Sequence, residues 1–273
     1  MAGRLDVHYM TVYKYVRTGR LPARKVSCAW QVSPDDVAAF AAHPRAVATG
    51  AGSGRDRYAE LLENRLQRGD EAGAWRIIDD ASAGGMGPAD VLLDLVVPAM
   101  ASIGDQWERG RVDVADEHRA TATASRLVAR LGPRFAVRGR PRGHVLLGAA
   151  PGDHHGLPTA ILRDLLRGRN LEVTDLGADV PVDSWSIAAA SAEIGSPRLV
   201  AVGIGATTPD ETLHAALLVI RAATEAPIVL GGRVSNTAVP PDPVPTLHRS
   251  TSLRQAVELF DELATTAPTA RRP

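Results

Sequence analysis

The sequence contains a single cysteine, Cys28, in 273 residues. A lone thiol excludes an intrachain disulfide and any cysteine-rich metal centre. Aromatic residues make up only 4% of the chain, so Trp30, Trp75, Trp107 and Trp185 are each worth placing. No apolar run is long enough to cross a bilayer, and the N-terminus lacks the apolar stretch of a secretory signal; a cytoplasmic protein is expected. Neither Gly-x-Gly-x-x-Gly nor a phosphate-binding P-loop is present, and no Ser, His and Asp set suggests nucleophilic catalysis. No enzymatic activity is therefore expected.

The formal net charge is zero, but the charge is unevenly spread. Between Met1 and Lys25 stand Arg4, Lys14, Arg17, Arg20, Arg24 and Lys25 against one acid, Asp6. A short basic segment on a neutral chain suggests a polyanionic partner for that segment alone. Val7 to Arg17 reads as a helix closed by Thr18-Gly19. Leu21–Val26 and Ala29–Val32 read as two short strands, and Ser33-Pro34 caps a further helix through Phe40. Residues 1–42 thus form one small unit, and the Gly- and Ala-rich residues 43–56 a linker.

Residues 57–133 read as four helices. Tyr58, Leu61, Leu62 and Leu66 share one face, and Trp75, Ile77, Ile78 and Ala81 open a second helix. The run Gly84–Pro88 breaks the chain before a third helix at Val91–Ile103, and Val114–Leu131 makes a fourth. A four-helix bundle is expected. Arg134–Arg142, with four arginines and no acid, is a second linker. From Gly143 the pattern alternates. Strands at Val145–Ala150, Glu172–Gly177, Leu199–Gly205 and Ile228–Gly231 are separated by helices near Leu157–Arg169, Asp183–Ile194 and Pro209–Thr224. Unalternating apolar runs suit strands buried on both faces, so residues 143–265 are expected to form a doubly wound parallel α/β sheet. Leu253–Leu263 closes it, and residues 266–273 are expected to be a disordered tail.

The chemistry concentrates after the first of these strands, at Asp153-His154-His155-Gly156-Leu157. A strand, an acid-x-His turn and a helix place an imidazole at the carboxyl edge of a parallel sheet, where open α/β folds bind ligands. An Asp two residues earlier can hold the other ring nitrogen, as in many metal-ligand histidines. The plainer reading is a polar loop with two adjacent histidines. Gly203-Ile204-Gly205-Ala206-Thr207 and Gly231-Gly232 fall on the same edge and leave a slot where a long ligand chain could lie against the backbone. His144, His214 and His248 receive no role; the first is expected to be structural and the last to lie in a loop. Asp79, Asp80, Asp90 and Asp94 read as a solvated acidic face.

These residues resemble the cobalamin-binding domain of corrinoid methyltransferases and mutases, whose pattern is Asp/Glu-x-His-x-x-Gly, then a serine motif, then Gly-Gly. The resemblance implies His155 as the lower axial ligand of cobalt, Asp153 as its partner, and Gly156, Leu157, Gly205, Thr207, Gly231 and Gly232 around the cofactor. Pro158 stands where that family has Gly, and Gly205 where it often has Ser. Trp107, Val114, Glu117 and His118 resemble in spacing the helical cap of light-sensing, adenosylcobalamin-dependent repressors of the CarH type. That resemblance implies Trp107 over the upper face, Glu117 against the adenosyl group, and His118 as a cobalt ligand after photolysis. The plainer readings are a bundle-core Trp and a solvated Glu-His pair. The first unit resembles the winged helix-turn-helix of the MerR superfamily, although only Ala2–Leu5 precede Asp6 where a first helix is needed. It implies DNA contacts from Tyr9, Thr11, Lys14 and Arg17, and phosphate contacts from Arg24 and Lys25.

The expectation is a photoreceptor regulator that binds adenosylcobalamin, self-associates in the dark, holds operator DNA and releases it in light. Two alternatives stand beside it: a methylcobalamin carrier for a methyltransferase, and a chromophore-controlled protein adaptor without DNA binding.

Overall fold

A computed structural model describes residues 24–26, 29–33, 51–236, 244 and 246–266. The expected helices of the first 42 residues, with Tyr9, Thr11, Lys14 and Arg17, lie outside the described residues. The expected pair of short strands is present: β1 (Arg24–Val26) runs antiparallel to β2 (Ala29–Gln31), with Lys25 opposite Trp30.

Helix α1 spans Ala51–Gln67, so residues 51–56, expected as linker, are already helical. Helix α2 (Glu71–Ala83) starts at Asp70, whose side chain accepts the Gly73 N–H at 2.8 Å and supplies a partner to an end that otherwise has none. The glycine run after it breaks the chain as expected. The third helix is longer than its apolar pattern and interrupted in kind: α3 (Pro88–Asp90), a π-helical stretch Val91–Val96, then α4 (Val97–Glu108). Pro98 explains the π turn. Proline has no N–H for an i→i−4 bond and crowds the preceding turn, and Val97 N–H instead reaches back to the Leu92 carbonyl. α1, α2 and this long helix pack on one another and bury Leu62, Leu66, Trp75, Ile78, Leu92, Leu95 and Ile103. Each such side chain contributes about 1.5–3 kcal/mol of transfer free energy.

Helix α5 (Val114–Leu131) buries Ala120, Ala124, Leu127, Val128 and Leu131, the three-and-four spacing of one apolar stripe. Helices thus occupy the four stretches where helices were expected. The chain nonetheless divides into two compact units within α5, between Ala120 and Thr121.

The second unit holds five parallel strands in the order β4-β3-β5-β6-β7: β3 (His144–Ala149), β4 (Glu172–Asp175), β5 (Leu199–Gly205), β6 (Ile228–Gly231) and β7 (Leu247–Arg249). This is the doubly wound sheet expected from the apolar runs. The fifth strand was not expected, and it places His248 in β7 rather than in a loop. α6 (Gly156–Arg167) and α9 (Leu253–Thr266) cover one face; α7 (Val182–Glu193) and α8 (Glu211–Ala223) cover the other. Trp185 of α7 is fully buried, and its ring lies where a side chain on Gly148 would stand, 2.9 Å from an ideal Cβ. Only glycine at that point of β3 lets the indole close on the sheet. β3 leads into α6 on one face, whereas its neighbour β5 leads into α8 on the other. That reversal opens a crevice at the carboxyl edge, where doubly wound folds seat ligands.

Candidate functional site

The loop from Ala150 to His155 sits on that crevice and is fixed at almost every polar group. Ala150 N–H donates to the Gly205 carbonyl at 2.8 Å, and Asp153 N–H donates to the Ala150 carbonyl at 3.0 Å. The Asp153 carbonyl accepts Asp179 N–H at 2.8 Å. Asp179 in turn accepts Gly152 N–H on Oδ1 at 2.7 Å. The turns after β3 and β4 are therefore laced together.

Within this frame the Asp153 carboxylate is buried and its Oδ1 accepts twice, from His155 N–H at 2.9 Å and from His155 Nδ1 at 2.7 Å. A buried carboxylate needs such partners. Because a carboxylate can only accept, the bond places the ring proton on Nδ1. Nε2 is left with its lone pair on a side chain that is 68% exposed, while the Asp153 side chain is 6% exposed. This is the orientation of a metal-ligand imidazole with its supporting acid. His154 has a carboxylate of its own, Asp179 Oδ2 at 3.9 Å, which its sequence neighbours did not reveal. Asp179 is the residue that sequence reasoning missed. Its one signal is an acid in the turn after β4, and its role follows from pairing with a loop 26 positions away (179 − 153).

His155 is the N-cap residue of α6, Gly156 and Leu157 form its first turn, and Pro158 follows. First-turn N–H groups have no partner within a helix, so a proline there removes nothing the helix uses. Gly205 and Gly231 are register partners on adjacent strands. A Cβ added at Gly231 meets nothing within 4 Å, and one at Gly205 meets only the Gly148 carbonyl oxygen, at 3.9 Å. The two ends form an open, side-chain-free trough. Gly232 bounds it with φ +90°, and a Cβ there would stand 2.3 Å from the Ala206 carbonyl oxygen. Thr207 lies just past β5, half-buried. A cavity of about 360 Å³ adjoins the loop, lined by Ser125, His154, Leu157, Arg163 and Ala178. A larger cleft of about 480 Å³ lies at the opposite edge of the sheet, beside His144, Glu172 and Ile187. Chemistry rather than size selects the site: the larger cleft holds no imidazole supported by a buried acid. Burial lowers the His144 imidazole below its ordinary value, Glu172 acts in the opposite sense, and Nε2 is 2.9 Å from Thr174 Oγ1.

In the first unit, Trp107 ends α4, and Val114, Glu117 and His118 lie in the first turns of α5, joined by residues 109–113. Trp107 is 47% exposed, whereas Trp75 is buried. Val114 is exposed as well. His118 Nδ1 is 2.8 Å from Glu117 Oε2, and its own side chain is largely open to solvent. The acidic face is not simply solvated. Asp94 pairs with Arg55 at 2.6 Å, and Asp90 accepts Gly87 N–H at 3.3 Å. Among the described residues, no three His, Cys, Asp or Glu gather as a metal-ligand group, and no helix is long and apolar enough to cross a membrane.

Residues 58–131 match the family model of the B12 binding domain. The chain is 25% identical over 124 residues to monomethylamine corrinoid protein 2 of Methanosarcina acetivorans, covering 44% of this chain and 57% of that protein. It is 27% identical over 210 residues to the HTH-type transcriptional repressor CarH of Myxococcus xanthus, covering 75% of this chain and 64% of that one. The match thus spans somewhat less than two thirds of each curated relative. Among solved structures, the monomethylamine corrinoid protein of Methanosarcina barkeri superposes with a TM-score of 0.64 at 16% identity, over 76% of this chain and 99% of that chain. At that identity the likeness concerns the fold. Together with the trough and the acid-supported imidazole, the family match supports a cobalamin-binding chain.

Proposed function

We propose that this chain is a light-responsive transcriptional regulator that binds DNA as an adenosylcobalamin-dependent homo-oligomer in the dark and releases it on illumination, without catalysing a reaction. The observation that carries the cofactor half is His155, with Nδ1 fastened to the buried Asp153 and Nε2 free at the sheet's switch point. Similarity to the CarH repressor over 75% of the chain supports the regulatory half.

When bound, adenosylcobalamin would supply a cobalt ion able to take an imidazole and a cobalt–carbon bond sensitive to light. His155 is the residue that would present that imidazole, and Asp153 would keep its tautomer and ring plane fixed. The Gly205–Gly231 trough would take the nucleotide tail, and Gly156 and Leu157 would flank it. Trp107 and Val114 offer an apolar surface for the upper group, and Glu117 an acceptor. His118, exposed and 2.8 Å from Glu117, is the imidazole assigned to cobalt after illumination. Tyr9, Thr11, Lys14 and Arg17, with Arg24 and Lys25 on β1, are the residues assigned to DNA. Binding at one site that biases a two-state assembly would connect the two halves.

The matches to methylamine corrinoid proteins favour a second reading, a methylcobalamin carrier that serves a methyltransferase. One experiment separates them. Purified protein is loaded with adenosylcobalamin in the dark, and its absorbance spectrum, size-exclusion profile and retention of duplex DNA are recorded before and after green light. A light-driven spectral change with a change of assembly size and loss of DNA, suppressed in His118→Ala, is the expected outcome. Cofactor uptake with neither size change nor DNA binding would leave the carrier reading. No uptake would overturn both.

A further inference from the structure

From Thr121 to Gly143 the second unit contains six arginines, at positions 126, 130, 134, 138, 140 and 142, and not one acidic residue. In a chain whose 31 basic and 31 acidic residues balance, basic charge accumulates here as it does at the N-terminus. All six residues are exposed. Arg126 and Arg130 are one helical step of four apart on α5, about 6 Å along the axis. Arg134 follows after another four residues, on the 3-10 turn Gly132–Phe135 that continues the helix.

The remainder of the strip is held out from the surface between two anchors. At one end Phe135 is buried, and its ring lies 3.1 Å from where a Cβ on Gly168 would stand. At the other, Arg142 pairs with Asp261 of α9 and donates from Nε to the Arg169 carbonyl at 3.1 Å. Between them Gly139, at φ +115°, turns the chain. Arg138 and Arg140 flank that glycine at the tip, and among the described residues their guanidinium groups have no hydrogen-bond or ion-pair partner. Two carboxylates beside this segment, Asp164 and Asp261, are engaged by other groups or at its anchored end. Asp164, beside Gly132, is fully buried and paired with Arg163 and Arg167, and Asp261 takes both Arg142 and Arg169.

We propose that the arginine strip Arg126–Arg140 is a second DNA-contact surface, which grips the phosphate backbone of duplex DNA without reading its sequence. The proposal rests on the DNA-binding reading above. The chemistry fits a regular polyanion. A duplex strand advances 3.4 Å per nucleotide, so a 6 Å helical step brings successive guanidinium groups to about every second phosphate. Guanidinium groups bind phosphate in a bidentate manner. No aromatic or acidic side chain interrupts the exposed strip to favour bases or a folded acidic partner.

The test uses the full-length protein and a random-sequence duplex of about 30 base pairs, with affinity measured across salt concentrations. The variant Arg130→Ala/Arg134→Ala/Arg138→Ala/Arg140→Ala is compared with Lys14→Ala/Arg17→Ala and with the four-lysine version of the strip. Each lost phosphate contact lowers the slope of log affinity against log salt by about 0.9. The expected result is a slope smaller by about two to four in the strip variant, largely restored by lysine, with thermal melting and cobalamin uptake unchanged. Unaltered slope and affinity in the strip variant, alongside weaker binding in Lys14→Ala/Arg17→Ala, would overturn the strip and leave the DNA-binding reading standing. No duplex binding by the parent protein would overturn both. Binding to phosphatidylserine vesicles but not to duplex would assign the strip to a membrane surface and overturn the proposal.

Discussion

His155 Nδ1 lies 2.7 Å from Asp153 and His118 Nδ1 lies 2.8 Å from Glu117, two imidazole–carboxylate pairs that distance alone does not separate. Burial separates them. The Asp153 side chain is 6% exposed and the Glu117 side chain 26%. Asp153 also accepts a backbone N–H and has both its own peptide groups bonded in the laced turns. Glu117 and His118 are consecutive on a helix, where adjacent side chains do not face each other, so their contact depends on the long glutamate chain. A hydrogen bond in a low-dielectric, over-determined setting fixes orientation; the same bond in water is readily exchanged. The first arrangement suits a permanent ligand and the second a ligand that must change partners.

That contrast can be broken in graded steps. His155→Ala should have the largest effect, weakening cobalamin binding by more than the 10–100-fold typical of losing a supporting residue, read by absorbance titration. Asp153→Ala keeps the imidazole but frees its ring and should cost about 10–100-fold in the same titration. An affinity within twofold of the parent would show that the buried acid does not position His155. Gly231→Val adds side chain where the structure has room, so the fold should persist. It should oppose any occupant of the trough by roughly tenfold, about 1.4 kcal/mol, within the range for crowding a filled site. Glu117→Ala should change dark affinity by less than about threefold, in keeping with exposed pairs of a few tenths of a kcal/mol. A loss as large as that of Asp153→Ala would erase the distinction between the two histidines.

The smallest effect is expected at His144, at the far edge of the sheet. Burial, opposed by Glu172, lowers its folded value below 6.5, so the folded state prefers the neutral ring. That preference stabilises the fold above the unfolded value and is lost as pH falls through 6.5 toward the folded value. His144→Gln should flatten the decline in urea midpoint between about pH 7 and 5, and an unchanged decline would assign it to other groups.

The frame of the second unit was legible because its strands are buried on both faces. Leu199–Gly205 and Ile228–Gly231 are unbroken apolar runs that end on glycine, and the structure gives them the same limits. Leu247–Arg249 was not legible: it is three half-buried residues without an apolar run, recruited as a strand only by pairing with β6. The site divides in the same way. Asp153 and His155 are neighbours in sequence and could be read as a pair. Asp179 could not, because the alignment of β4 beside β3 is what carries its turn to Gly152. The third helix shows a local pattern overridden: apolar spacing gave its core face, but Pro98 imposed a π turn that spacing does not encode.

The scarcity of aromatic residues has a spectroscopic consequence. Trp75 and Trp185 are shut away from solvent while Trp107 stands open. Iodide in the medium should therefore extinguish the emission of Trp107 and leave that of the two buried indoles largely intact. A chromophore laid over Trp107 would shield it from the quencher, so the chain carries its own optical gauge of whether that surface is covered.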